Sequence, residues 1–293
     1  MANDKASKNT RRRSITELLR LPQGPVSMAE LNPGATPGYP DKQKDEAPER
    51  TRALAPELSD LQERLFAQGK SNPETAPNLL LVLQGMDTCG KGGVIRHVVG
   101  LVDPQGVQIK AFKAPTPEEL SHDFLWRIRN ALPAPGMIGV FDRSHYEDVL
   151  VVRVEHLVPD DVVEARYDQI NAFERELAEA GTVVIKCFLN ISKQEQHRRL
   201  AARLKDPAKH WKYRPGDLDT RAKWPAHEEA FRIALERCNT DDAPWFVVPS
   251  DNEWYRNWAV ARLLEEHLSA LDLRWPQATF DVAAEEIRLA TLR

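Results

Sequence analysis

The 293-residue sequence predicts a three-layer α/β fold, a five-stranded parallel sheet with helices on both faces. Three observations carry this reading. Five short apolar runs, over 78–84, 107–112, 137–141, 182–189 and 245–248, have the length of strands. Segments with apolar residues at helical spacing separate them. The first run ends in a glycine-rich loop that opens a helix, the order found in open α/β sheets.

The elements follow in chain order. Residues 1–53 read as a proline-rich arm, flexible or laid over a neighbour. Nine of the chain's 21 prolines fall in the first 77 residues, and 21–50 hold few large apolar side chains. Such a stretch buries too little surface to offset its ordering entropy. Leu58, Leu61, Leu65 and Phe66 predict an amphipathic helix over about 55–68. The run 78–84 is apolar throughout, as in a strand covered on both faces. Thr116-Pro117-Glu118-Glu119 is a helix start: a Thr cap, Pro at the first position and Glu at the third. Leu120, Phe124 and Ile128 extend that helix to 129. Further helices are expected at 94–100, 160–180, 192–204, 218–239 and 252–271. Residues 272–293 form a tail, helical over 283–292. The sheet domain therefore spans 54–271.

Composition excludes several classes. With 42% hydrophobic residues, 29% charged residues and a net charge of −4, the chain is neither a basic nucleic-acid coat nor a polyelectrolyte. No apolar run reaches the roughly 18–20 residues of a membrane span, and the amino terminus lacks the apolar segment of a secretory signal. Cys89, Cys187 and Cys238 are an odd set without metal-ligand spacing, which points to a reducing, cytoplasmic setting.

The chemistry is concentrated in two motifs. Gly85-Met86-Asp87-Thr88-Cys89-Gly90-Lys91-Gly92-Gly93 follows the first strand and opens a helix. Gly85, Gly90, Gly92 and Gly93 permit a tight loop whose N–H groups face an anion, and the helix N-terminus adds positive charge. Lys91 reaches the moving phosphate. Gly92 stands where such loops usually carry Ser or Thr, so a magnesium ion needs another ligand, and Asp87 is the carboxylate at hand. At the end of the third strand, Asp142 is placed to hold magnesium and Arg143 to clamp phosphate oxygens. A third feature is a lid: residues 198–223 carry a net charge of +6, broken by Pro207, Pro215 and Gly216. Basic lids close over phosphates and exclude water. Trp211 and Tyr213 are placed either to stack on a base or to pack that lid shut, and packing is the preferred reading. A plain glycine turn, a capped helix with a surface ion pair, and a solvated basic face are the bland alternatives.

These motifs resemble polyphosphate kinase family 2, whose fold is related to thymidylate kinase, a P-loop kinase. The resemblance rests on Gln84-Gly85-Met86-Asp87…Gly90-Lys91-Gly92-Gly93, on Asp142-Arg143-Ser144-His145-Tyr146-Glu147-Asp148, on His122-Asp123-Phe124-Leu125-Trp126-Arg127, and on Asp206-Pro207…Lys209-His210-Trp211-Lys212. It covers roughly residues 58–268 and is nearest the class III members, which accept AMP and ADP. Cys89 departs from the alanine usual there. The resemblance implies Mg2+, with Mn2+ able to substitute. It implies inorganic polyphosphate as donor, ADP and AMP as acceptors with GDP and GMP as further candidates, and a dimer or tetramer. It assigns polyphosphate contacts to Arg199, Arg203, Lys209 and Lys212. It assigns acceptor contacts to Asp123, Arg127 and Glu147, with the nucleotide between the lid and 117–129. Nucleic acid and membrane are not expected partners. An ATP-dependent nucleotide kinase on the same fold and a non-catalytic polyphosphate or nucleotide sensor stand as alternatives.

Overall fold

The computed structural model describes residues 13–40 and 43–292. Residues 1–12 and 41–42 of the expected arm and residue 293 of the expected tail lie outside the described residues. Five parallel strands, β1 (Asn78–Gln84), β2 (Val107–Ala111), β3 (Ile138–Asp142), β4 (Thr182–Asn190) and β5 (Trp245–Pro249), form one sheet in the order β2-β3-β1-β4-β5. All five expected strands form, with ends shifted by at most one residue. β1 is central and buried from Leu79 to Gln84, as an all-apolar run requires. β2 departs from that rule: it is an edge strand and leaves Ile109 about half exposed.

The helices are α1 (Ile15–Leu19), α2 (Ala47–Arg52), α3 (Ala55–Ser71), α4 (Lys91–His97), α5 (Pro117–Leu120), α6 (Trp126–Arg129), α7 (Val151–Val154), α8 (Asp160–Glu179), α9 (Lys193–Lys205), α10 (Gly216–Ala222), α11 (Trp224–Arg237), α12 (Glu253–Ser269) and α13 (Val282–Ala290). α12 packs against α1, α2, α3 and α4, whereas α8 lies against β4 and α7, and α7 meets α11. Two expected helices are each broken in two. The Thr116–Glu119 capping box forms, but the helix stops at Leu120. Asp123 then accepts the Leu125 N–H in a turn of its own before α6 begins. The expected 218–239 helix divides at Lys223, where Pro225 starts a new first turn in α11.

The arm is not free-standing where it is described. Ile15, Leu19, Leu21, Val26 and Tyr39 are buried in the main core. Ser14 and Glu17 form a capping box, and the Glu266 carboxylate accepts the N–H groups of Ile15 and Thr16. The Leu21 N–H donates to the Trp245 carbonyl, and Arg20 bridges Phe246 in antiparallel fashion, so the arm covers the β5 edge. Further on, the Leu31 and Pro37 carbonyls accept from Asn190 and Tyr255, and Tyr39 packs edge-on against Trp254 and Trp258. The composition argument counted side chains. The arm is held largely by backbone groups paired with partners some 150–250 residues away.

Candidate active site

The sheet order sets the carboxyl ends of β1 and β3 side by side, where open α/β sheets bind ligands. Leu83 lies opposite Asp142 in register, and the Arg143 N–H donates to the Leu83 carbonyl. The Gly85–Lys91 loop and the Asp142–Asp148 turn are thereby held together. Gln84 strengthens the junction: its amide donates to the Ser144 hydroxyl at 3.1 Å, which in turn accepts the Tyr146 N–H.

The loop has the expected strand–loop–helix context, and α4 begins at Lys91 itself. Gly85 and Gly90 have φ of 152° and 109°, a region that side chains avoid. A Cβ on Gly90 would lie 1.8 Å from Nη1 of Arg256, and one on Gly93 would lie 2.5 Å from Nη2. Gly92 faces open space. Nζ of Lys91 donates to the Gly85 carbonyl at 3.0 Å, so the ammonium curls over the loop it belongs to. Inside the loop, the buried Thr88 hydroxyl has no hydrogen-bond partner, leaving an unused polar atom within the cradle.

Asp87 and Arg143, 56 residues apart in sequence, meet at 2.9 Å, and Arg143 also reaches Glu147 at 2.9 Å. Glu147 raises the guanidinium pKa above its ordinary value; burial opposes this, and Asp87 adds to it. Arg143 is thus bracketed by two carboxylates and fixed as a cation. It sits at φ 65°, strained for a residue with a side chain, a strain often found at functional sites. Glu147 is engaged by Arg143 at the end of β3, and Asp142 stands beside that pair.

Asp87 and Asp142 fit a divalent cation of the magnesium type. Such an ion takes one or two protein carboxylates and completes its shell from phosphates and water. Among the described residues, no three His, Cys, Asp or Glu side chains group into a self-sufficient metal cage.

Several cations assigned to substrate make contacts within the chain. Arg199 does not line an open track. It is buried, and its N–H groups go to Glu195 and to the carbonyls of Thr88, Cys89, Ser250 and Asp251. It braces the phosphate loop from behind. Arg203 turns into the lid, donating to the Lys212 carbonyl at 3.0 Å and lying 3.5 Å from Asp217. Lys205, Lys209, Lys212 and Arg214 are exposed, and Lys209 pairs with Asp206. Trp211 does not pack the lid: it is 78% exposed, with the Lys212 ammonium over its ring. Arg127, assigned to the acceptor, is buried between the Lys113 carbonyl and Asp148, where it ties the α5–α6 segment to the turn after β3. Asp123 is exposed, apart from its turn hydrogen bond to Leu125.

Gln196, Glu174 and Lys186 also belong to the site and carried no local motif. Gln196 donates to the Asp87 carbonyl and accepts from Arg221, which links the lid to the loop. Asp217 on α10 has a raised pKa, first from burial and then from the nearby Asp87 charge, so the lid brings a carboxylate toward the loop. Behind the turn after β3, Glu174, Lys186, Tyr146 and His145 form a fully buried network. Lys186 donates to Glu174 at 2.6 Å and to the Tyr146 hydroxyl at 2.8 Å, while Glu174 also meets His145 at 3.1 Å. The signals for this network were His145 and Tyr146 in the motif after the third strand and a lone lysine inside the apolar run 182–189.

Comparison with known proteins adds to this geometry. Residues 41–275 match the family model described as polyphosphate kinase 2. A curated protein of Meiothermus ruber, named AMP/ADP-polyphosphate phosphotransferase, is 43% identical over 91% of this chain and 96% of its own. One of Rhodopseudomonas palustris, named ADP-polyphosphate phosphotransferase, is 38% identical over 80% of this chain and 84% of its own. A crystal structure of polyphosphate kinase 2 from Arthrobacter aurescens superposes with a TM-score of 0.91 at 51% identity, covering 96% of this chain and 98% of that one. With the strand order, the loop and the paired β1 and β3 ends already in place, these matches establish that the chain belongs to the polyphosphate kinase 2 family.

Proposed function

We propose that this enzyme moves the terminal phosphoryl group of inorganic polyphosphate to ADP and AMP. The observation that carries the reading is the pairing of Asp87, on the same loop as Lys91, with Arg143, which follows Asp142 at the end of β3, beneath a lid exposing Lys205, Lys209, Lys212 and Arg214. A row of cations suits a long polyanion, which offers charge and no base to read.

The loop N–H groups and Lys91 hold the phosphoryl group that transfers. Arg143 neutralises charge on its oxygens. An oxygen of the acceptor's terminal phosphate forms the new P–O bond. The P–O bond to the next polyphosphate unit breaks, and its electron pair stays on the shortened chain. The attacking oxygen is already ionised near neutral pH, so positioning and neutralisation matter more than a general base. Asp87 and Asp142 are the residues that would hold Mg2+, which when bound draws phosphate oxygens together and offsets their charge. The acceptor nucleotide lies toward Glu147 and the α5–α6 segment. GDP and GMP are weaker candidates.

Three free buried cysteines support a reducing, cytoplasmic setting. Among the described residues no helix is long and apolar enough to cross a membrane. Phe280, Ile287, Leu289 and Leu292 lie exposed on and beside α13, which supports assembly into a dimer or tetramer, read by light scattering.

The deciding assay mixes the protein with polyphosphate, magnesium and ADP, or AMP, and reads ATP by luciferase and ADP by chromatography. ATP formed from ADP without added ATP supports the reading. Product formed only when ATP is the donor makes the chain an ATP-dependent nucleotide kinase, and binding without turnover makes it a sensor.

A further inference from the structure

Arg256 lies on α12, 163 residues beyond the last glycine of the phosphate loop, in no motif. It is only 2% exposed. Its Nη1 donates to the Cys89 carbonyl at 3.2 Å, and its Nε and Nη2 to the Asn257 side chain. The guanidinium fills the space where Cβ atoms of Gly90 and Gly93 would stand. The hydrogen bonds are satisfied, yet the charge is not. Among the described residues no carboxylate lies within ion-pair distance of Arg256, whereas its neighbour behind the loop, Arg199, is paired with Glu195. Burial lowers the Arg256 pKa to about 10, Glu253 opposing and Arg199 adding to the effect. An unpaired buried charge is costly to keep. An apolar side chain of the same length would fill this place without that cost.

We propose that Arg256 is a charge-balancing, positioning residue of the phosphate loop, a fixed cation whose counter-charge is the donor phosphate held on the other side of the loop backbone. Its field acts through one layer of peptide groups in a water-poor setting, where a charge counts for more than it does in water. It also explains the loop sequence. Gly90 and Gly93 are required so that this cation can approach, while Gly92, which faces open space, is not under that constraint. The inference rests on the loop being the donor-phosphate site.

The test is Arg256→Met beside Arg256→Lys. Inorganic tripolyphosphate with magnesium is the probe, read by calorimetric affinity and by melting temperature with and without it. Arg256→Met should melt at or above the wild-type temperature without the probe, because an unpaired buried charge is gone. It should bind tripolyphosphate at least about tenfold more weakly, with a shallower salt dependence. Arg256→Lys, which keeps the charge, should stay within about threefold of wild type, a smaller loss than for an uncharged chain. A brace without an electrostatic role gives the opposite pattern. In that case Arg256→Met is unfolded or destabilised, or binds as wild type does, or Arg256→Lys is impaired as much as Arg256→Met; any of these overturns the proposal. If wild-type protein itself does not bind tripolyphosphate, the donor-site reading fails first, and that result is distinct from the others.

Discussion

Lys91 and the loop glycines are separable by substitution. Lys91 is partly exposed, and its one strong contact is to a carbonyl of its own loop, so Lys91→Ala should leave the melting temperature within a degree or two. In the proposed reaction its charge faces the migrating phosphoryl group, and loss of a comparable group costs about 10²–10³ in rate. Steady-state ATP synthesis beside a melting curve checks both halves; more than half of the wild-type rate would remove Lys91 from the site. Gly90 and Gly92 stand two residues apart with opposite expectations. Gly90→Ala meets both a φ of 109° and the Arg256 guanidinium, and should lose roughly 1–3 kcal/mol with most of the activity. Gly92→Ser enters open space and should keep wild-type stability within about 0.5 kcal/mol. Chemical denaturation of the two variants gives the comparison.

The elements behind the site bear loads of their own. The Glu174–Lys186 pair joins α8 to β4 and, through Tyr146 and His145, fixes the turn that carries Arg143 and Glu147. Lys186→Met strands a buried carboxylate and should cost about 3–5 kcal/mol. Lys186→Met with Glu174→Gln should recover part of that loss, because no unpaired charge remains. Burial by itself would raise the Glu174 pKa, but Lys186 and His145 outweigh it and hold the carboxyl below its usual range. The sign follows: a depressed folded pKa contributes stability that is present above the ordinary glutamate range and lost as pH falls through the folded value. Urea unfolding from pH 7 to pH 3 should therefore show a steeper acid loss in wild type than in the double variant. On the lid, Lys209→Ala with Lys212→Ala removes two exposed cations. The KM for polyphosphate should rise by about tenfold, its salt slope should fall by roughly 1.5, and the KM for ADP should move less than about twofold. An unchanged slope would make the segment a solvated face.

At the scale of the molecule, the arm closes the sheet. Leu19 and Leu21 are buried where the chain runs beside β5, and Glu266 of α12 grips the start of α1. Removing residues 1–22 uncovers Trp245 and Phe246 at an open strand edge. The shortened protein should melt several degrees lower and bind a hydrophobic dye that the full chain excludes, while retaining activity at low temperature, because no hydrogen bond or ion pair joins the described residues 13–22 to the loop. An equal melting temperature would return the arm to the role of a loose extension.

Local sequence determined the strands, the loop and the basic lid, because each rests on interactions between near neighbours. Five apolar runs exclude water together, glycines admit positive φ, and like charges crowd one segment whatever the rest of the chain does. The pairing of Asp87 with Arg143 was readable at one remove, since a loop after one strand and an acidic end on another meet wherever those strands are adjacent. Tertiary structure decided the direction in which each arginine points. Arg199, Arg203 and Arg127 look like substrate cations in the sequence, yet the fold gives each of them carbonyl or carboxylate partners of its own. Arg256 looks like one more polar residue on a helix, yet it lies against the phosphate loop. A guanidinium reaches several ångströms from its Cα and pairs with whatever the fold brings within that radius. The partners of Arg127, Arg199 and Arg256 include groups 14, 51 and 167 residues away, and only the folded chain brings those within reach.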